Sequence, residues 1–222
     1  MLKSSQSAEH PLDSQGVWCQ ILRRPAPGRA ALFLDRDGAV VKETGYLCRV
    51  DDIVVIPGAG KVISTANRRG IPVVMVTNQS GIGRGNYSWA EFKSVQDAIV
   101  ALLAIEGANI DAVYACPHHP QARGNLVHPD HPARKPNPGM LLQAASALAL
   151  DLTSSWLVGD KADDIEAAKR AGIAGALLVA TGYGDGERQC AATLASPAFE
   201  VRFGRSIADA MTLPLLMSRH DV

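Results

Sequence analysis

The sequence lacks a net charge, a long apolar run and an apolar amino-terminal segment. Lysine plus arginine number 22, and aspartate plus glutamate also number 22. This balance argues against a broad surface for nucleic acid or membrane, although it leaves room for a local basic pocket. No apolar run approaches the ~20 residues that a membrane-spanning helix needs. Residues 1–11 contain no apolar core, so we predict no signal peptide.

Cysteine is scarce, and its four positions are scattered: Cys19, Cys48, Cys116 and Cys190. They form no paired framework of the kind found in small secreted domains, so we expect a cytoplasmic protein. The chain has 222 residues, of which 47% are hydrophobic, and this suits one α/β domain with elaborations. We predict an N-terminal extension over 1–28, the domain over 29–215 and a C-terminal tail over 216–222. We also expect a monomer.

The stretch from Ala31 to Gly38 holds four apolar residues followed by Asp35 and Asp37. A short apolar run predicts a buried parallel strand, and open α/β sheets bind ligands at the carboxyl ends of such strands. One carboxylate there can act as a nucleophile and the other can transfer protons. Together they offer hard oxygen ligands for Mg²⁺. The alternative is that one aspartate caps a turn while the other is solvated.

Strand and helix patterns alternate along the rest of the chain, which predicts a three-layer, Rossmann-like parallel sheet with right-handed crossovers. Further strands are predicted over 72–76, 110–115, 155–158, 176–180 and 199–203, with an extended piece over 50–56. Helices are predicted over 57–69, 88–106, 139–150, 163–171 and 206–211. The second of these has a capping box formed by Ser88 and Glu91.

Polar residues also follow other predicted strands and a long loop. Thr77 and Asn78 follow the strand over 72–76, Asp160 follows 155–158, and Arg134 and Lys135 end a loop rich in histidine and proline. Parallel strands end at one sheet edge, so we expect these groups to converge. The set suits phosphoryl transfer through an aspartyl-phosphate.

Each residue then has an expected role. Asp35 attacks phosphorus, and Asp37 protonates the leaving oxygen and later activates water. Asp35, Asp37 and Asp160 hold Mg²⁺. Lys135, Arg134, Thr77 and Asn78 bind phosphate. Asp164 either positions Lys161 or caps its helix.

Four segments, at 33–38, 76–81, 134–136 and 158–161, resemble the four motifs of haloacid dehalogenase (HAD) superfamily phosphatases. Within that superfamily the sequence is most similar to the D-glycero-D-manno-heptose bisphosphate phosphatase family, including Gly45-Tyr46 and the stretch from Cys116 to Pro120. The likeness runs from about residue 31 to 210. It implies a sheet without a large cap domain, a Mg²⁺ cofactor and, in the cytoplasm, removal of one phosphate from a sugar bisphosphate, D-glycero-D-manno-heptose 1,7-bisphosphate, to give the monophosphate.

The family also carries a zinc loop, and here the sequence departs from it. Cys116 and His118 are kept, but His131 and Ala133 stand where the family has a Cys-x-Cys pair. We expect one structural Zn²⁺ held by Cys116, His118, His131 and either His128 or Asp130, with His128 preferred. Such a set suits tetrahedral zinc. The alternative is a metal-free loop shaped by its prolines.

Two other functions stay open. Histidinol-phosphate phosphatases have similar motifs and a similar zinc loop. The altered zinc loop also raises the alternative of a non-catalytic protein that binds phosphosugars, although the retained aspartates and Lys135 speak against it.

Overall fold

The computed structural model describes residues 10–217, within which seven strands form one sheet. In chain order they are β1 (Trp18–Ile21), β2 (Ala30–Leu34), β3 (Val73–Asn78), β4 (Ala112–Cys116), β5 (Asp151–Gly159), β6 (Gly175–Val179) and β7 (Glu200–Gly204). Their order across the sheet is β1-β4-β3-β2-β5-β6-β7. All neighbouring pairs are parallel except β1 with β4. The predicted three-layer parallel architecture is confirmed.

Six α-helices connect these strands within residues 10–217. They are α1 (Ala59–Arg68), α2 (Ser80–Arg84), α3 (Trp89–Ile105), α4 (Gly139–Leu148), α5 (Ala162–Arg170) and α6 (Gly184–Ala192). The capping box at the start of α3 is present, with the Ser88 hydroxyl accepting from the Glu91 N–H and the Glu91 carboxylate accepting from the Ser88 N–H. Between β2 and β3 the chain forms only a short 3-10 helix and α1, so no cap domain is inserted there. No helix in the described part combines the length and apolarity needed to cross a bilayer.

The two faces of the sheet are buried against separate groups of helices. Along β2, Leu32 and Leu34 pack into one hydrophobic cluster with residues of α1 and α3. Ala31 and Phe33 alternate with them and pack into the other cluster, with residues of α4 and α5. This alternation of side chains across a strand explains why β2 is apolar at every position.

The N-terminal region takes part in the fold although the sequence predicts an extension up to residue 28. β1 pairs antiparallel with β4 and forms one edge strand of the sheet. Val17 and Trp18 are fully buried. At the other end Leu216 is buried in the core. Residues 218–222 of the predicted tail lie outside the described residues.

Several predicted elements differ from the observed ones. The piece over 50–56 begins with a 3-10 helix (Val50–Asp52) instead of an extended strand, and the predicted last helix is the 3-10 helix Ile207–Thr212. Sequence patterns do not predict α2 and α6. Both start in Gly-containing segments, Ser80–Arg84 and Gly184–Ala192, where composition favours a loop.

Candidate active site

The predicted site residues converge at the carboxyl edge of the sheet. The chain runs outward from β2 through β3 to β4 and then crosses back to β5 on the other side of β2, so the strand order reverses beside β2. Asp35 follows β2, Thr77 and Asn78 end β3, and Asp160 follows β5. Asp35, Thr77 and Asn78 border a cleft of about 130 Å³ that is open to solvent and is also lined by Arg134 and Lys135.

Lys135 is a buried cation between two buried carboxylates. Its Nζ lies 2.6 Å from Asp35 Oδ1 and 2.5 Å from Asp164 Oδ1, and it also donates to the Val76 carbonyl at 2.9 Å. Burial alone lowers the pKa of a lysine, but the two carboxylates more than offset this, so the pKa of Lys135 is raised. The ammonium group therefore stays charged over the whole range in which an enzyme works.

Three buried carboxylates form a cluster beside this cation. One oxygen from each of Asp35, Asp160 and Asp164 lies within 4.8 Å of the other two. Burial raises the pKa of Asp35 well above its usual value, although Lys135 opposes the effect. Burial, reinforced by Asp164, raises the pKa of Asp160 to about 7. When ionised, the three carboxylates carry more negative charge than the single positive charge of Lys135 can neutralise.

The cluster fits a divalent cation. Asp160 is fully buried, and its Oδ2 accepts from the Tyr183 N–H at 2.9 Å while its Oδ1 has no hydrogen-bond partner. A buried carboxylate oxygen without a partner is costly unless a cation binds it. The backbone allows this close packing because Gly38 and Gly182 both have positive φ, and a Cβ on either would overlap the Asp160 carboxylate. Hard oxygen donors of this kind suit Mg²⁺.

The structure places the side chain of Asp37 outside this carboxylate cluster, although the sequence predicts it among the Mg²⁺ ligands. Its carboxylate instead accepts from Arg36 Nη2 at 2.8 Å and from Gln79 Nε2 at 2.9 Å. Asp164 occupies the third position of the cluster. It also caps its helix, because its Oδ2 accepts from the Lys161 N–H at 3.0 Å, which is one of the two predicted roles.

Asn78 and Thr77 hold neighbouring parts of the site. The Asn78 side-chain amide exchanges two hydrogen bonds with the backbone of Lys135, donating to its carbonyl at 2.9 Å and accepting from its N–H at 3.1 Å. This side chain therefore fixes the backbone of Lys135, whereas the sequence predicts that it binds phosphate. Thr77 is 1% exposed, and its hydroxyl accepts from Gln79 Nε2 at 2.8 Å. Arg134 donates to the His118 carbonyl at 3.2 Å and reaches the cleft.

The four predicted zinc ligands lie near one another, but their donor atoms do not converge. Cys116 Sγ is 3.9 Å from His131 Nδ1. The rings of His118 and His131 are stacked, with centroids 3.7 Å apart and an angle of 3° between their planes. Imidazole binds a metal in the ring plane at ~2.0–2.1 Å, so two stacked parallel rings cannot share one ion.

The ring nitrogens of this histidine group have other partners. His118 Nε2 lies 2.8 Å from the Gln15 carbonyl, and His131 Nδ1 accepts from the Ala133 N–H at 3.1 Å. Among residues 10–217 the carboxylates described above form the one cluster of His, Cys, Asp or Glu donors close enough for a metal. The residues present do not fit the expected zinc site.

Comparisons with known proteins show which family the chain belongs to. The profile of the HAD-hydrolase-like family matches residues 132–201. D-glycero-beta-D-manno-heptose-1,7-bisphosphate 7-phosphatase from Mesorhizobium japonicum is 47% identical over 195 residues, which cover 87% of this chain and 85% of that protein. The chain belongs to the heptose bisphosphate phosphatase family of HAD-like hydrolases.

Two solved structures extend the likeness to the fold of this phosphatase. A HAD-like phosphatase from Mesorhizobium loti is 43% identical, with a TM-score of 0.82 and coverage of 94% of this chain and 95% of that one. The D,D-heptose 1,7-bisphosphate phosphatase of B. bronchiseptica, complexed with magnesium and phosphate, is 30% identical. Its TM-score is 0.70, with coverage of 81% of this chain and 94% of that one.

Three residues in the site of this phosphatase have no catalytic role predicted from the sequence. Asp164 pairs with Lys135, and Arg36 and Gln79 hold Asp37. The position of Asp164 on the first turn of α5, four residues after Asp160, is a sequence feature that indicates a place near the site. Arg36 and Gln79 lie inside the quoted motifs, but nothing in the linear sequence shows that their side chains turn toward Asp37.

Proposed function

We propose that this phosphatase removes the 7-phosphate of D-glycero-D-manno-heptose 1,7-bisphosphate through an aspartyl-phosphate. This chemistry is supported by the buried ion pair of Asp35 and Lys135, which lies beside an Asp160 carboxylate oxygen without a hydrogen-bond partner. The substrate is supported by the function of the 47% identical relative.

Asp35 is the nucleophile. Lys135 holds its Oδ1 at 2.6 Å, which leaves Oδ2 to attack phosphorus. Burial favours the neutral acid at this position, so a neighbouring cation is required to keep the attacking carboxylate ionised. Lys135 supplies one positive charge, and its own position is fixed by Asp164 and by the backbone contacts from Asn78.

Asp35 and Asp160 would hold Mg²⁺, with Asp164 beside them. When bound, the ion neutralises the carboxylates and lets the phosphate dianion approach Asp35. Lys135 and the Thr77 hydroxyl bind the phosphoryl oxygens and stabilise the charge that develops on them. Asp37 protonates the sugar oxygen as it leaves, and then takes a proton from the water that hydrolyses the aspartyl-phosphate.

A bisphosphate carries a second anionic group, and the mouth of the cleft offers cations for it. Arg134 and Lys161 both line the cleft and are half-buried. Lys161 Nζ lies 4.3 Å from the centroid of the Tyr183 ring, which orients the ammonium group at the rim. We assign these two side chains to the phosphate that is retained.

One assay separates this function from its rivals. We expect heptose bisphosphate to be hydrolysed far faster than histidinol phosphate in the presence of Mg²⁺. Asp35→Asn keeps the size of the side chain but removes the nucleophile, so turnover should fall below a tenth of wild type while the unfolding temperature changes little. Faster turnover of histidinol phosphate would reassign the substrate. A wild-type protein that binds phosphosugars but does not turn them over would support the non-catalytic alternative.

Two further expectations belong to this proposal. The four cysteines are free, which is consistent with the predicted cytoplasmic location. The monomer expected from the sequence stays a prediction.

A further inference from the structure

The Asp37 carboxylate is held by two side chains that are themselves buried. Arg36 Nε lies 3.0 Å from Oδ1 and 3.1 Å from Oδ2, and Arg36 Nη2 lies 2.8 Å from Oδ2. Gln79 Nε2 donates to the same Oδ2 at 2.9 Å. Oδ2 thus accepts from three N–H groups, whereas Oδ1 has a single contact, and that donor is shared between the two oxygens.

Gln79 is fixed by a network of its own. It is 2% exposed, and its Oε1 accepts from the Tyr87 hydroxyl and from Arg36 Nη2 at 3.3 Å. Its Nε2 donates to Thr77 as well as to Asp37. Because Oε1 has two donors, the amide cannot turn over without losing them, and Nε2 must face Asp37.

Arg36 is equally constrained. It is fully buried, and its guanidinium carbon lies 5.4 Å from the centroid of the Phe92 ring. A buried guanidinium needs its carboxylate partner, so the two-point contact with Asp37 is strong and directional. By contrast, the Asp37 side chain is 17% exposed at the cleft. Two rigid donors therefore anchor one partly exposed carboxylate.

We propose that Gln79 and Arg36 are positioning residues for Asp37, and that they assign proton transfer to Oδ1. An oxygen that already accepts from three donors has no lone pair left for a proton, whereas Oδ1 retains one. The inference rests on the proposed role of Asp37 as acid and base. Misplacement of a catalytic group by ~1 Å can cost about a hundredfold in rate, so loss of the anchor should reduce catalysis.

Gln79→Met tests the proposal, because it keeps the volume of the side chain and removes its donors. With heptose bisphosphate we expect kcat to fall by about 10- to 100-fold, with KM changed by less than about threefold. With p-nitrophenyl phosphate, the first-turnover release of nitrophenol should change by less than about threefold, because this leaving group needs no proton. Equal losses on both substrates would overturn the positioning role.

A double-mutant cycle with Asp37→Asn distinguishes positioning from general damage. If Gln79 acts through Asp37, Gln79→Met should cost little in the Asp37→Asn background, whereas an independent structural role would give additive losses. Full activity of Asp37→Asn would refute the proposed function itself. A disabled Asp37→Asn enzyme beside a fully active Gln79→Met enzyme would refute only the positioning role.

Two more variants guard against misfolding. Gln96 is another buried glutamine, 1% exposed on α3, and its Oε1 has no partner. Gln96→Met is therefore the matched control and should leave the kinetics unchanged. Gln79→Glu keeps acceptors for Arg36 and Tyr87 but loses the amide donor to Asp37. It should reproduce the selective loss on the sugar substrate if Gln79→Met is unstable, and wild-type kinetics in Gln79→Glu would overturn the inference.

Discussion

Replacing Asp160 by asparagine should stabilise the metal-free protein while it abolishes Mg²⁺-dependent turnover. Asp160 is fully buried near Asp164, and its Oδ1 has no hydrogen-bond partner. Asparagine has the same shape, keeps an oxygen for the Tyr183 N–H and carries no charge. The substitution thus removes the repulsion between the carboxylates together with the proposed metal ligand.

The pKa of Asp160 gives the size of the effect. Burial and Asp164 raise it from 3.8 to about 7. At about 1.36 kcal/mol per pKa unit, this difference corresponds to roughly 4 kcal/mol of unfavourable free energy for the ionised folded form. The asparagine variant carries no charge at this position, so we expect a gain of about 2–4 kcal/mol where Asp160 is ionised in the wild type. In a chain of this length that raises the unfolding temperature by roughly 4–16 °C.

The sign of the pH dependence follows from the same values. Asp160 ionises near pH 4 in the unfolded chain but only near pH 7 in the folded one. Between these values the folded chain holds the extra proton, so the stability of the metal-free protein falls as pH rises through this window. The advantage of Asp160→Asn should therefore be negligible near pH 4 and complete above pH 7.

Thermal unfolding in chelator at pH 5, 6, 7 and 8 measures this trend. Asp185→Asn, an exposed position in the first turn of α6, is the control and should shift stability by less than about 0.5 kcal/mol. Added Mg²⁺ should stabilise the wild type but not Asp160→Asn. A variant that unfolds at a lower temperature than wild type at pH 8 in chelator, or one that Mg²⁺ still stabilises, would refute the reasoning.

Two other predictions concern Lys135 and the histidine loop. Lys135→Met leaves Asp35 and Asp164 unpaired, so it should cost about 3–5 kcal/mol of stability and lower kcat by more than about a hundredfold. Denaturant unfolding and steady-state assays measure both, and an active, stable variant would contradict the proposed charge balance. Because His118 and His131 are stacked and cannot share an ion, we expect elemental analysis to find less than one zinc per chain. If the wild type contains one zinc per chain and Cys116→Ala loses it, the zinc site predicted from the sequence would be supported.

Much of the fold follows from local patterns in the sequence. The apolar runs that end in Asp35, Thr77 and Asp160 predict buried parallel strands, and all three are present. Ser88 and Glu91 predict the start of α3, because a capping box is a contact between residues three apart. β1 was harder to predict, since its four residues form a strand only by pairing with the edge of β4.

The order of apolar runs and polar residues is enough to predict that acidic and polar groups lie at one sheet edge, because parallel strands all end there. How these groups pair their charges depends on contacts between residues far apart in the chain. Lys135 is a hundred residues from Asp35 along the chain, yet it lies between Asp35 and Asp164. Likewise the four expected zinc ligands come together, but packing turns the rings of His118 and His131 parallel. The direction of a side chain depends on its neighbours in space, and no motif spacing contains that information.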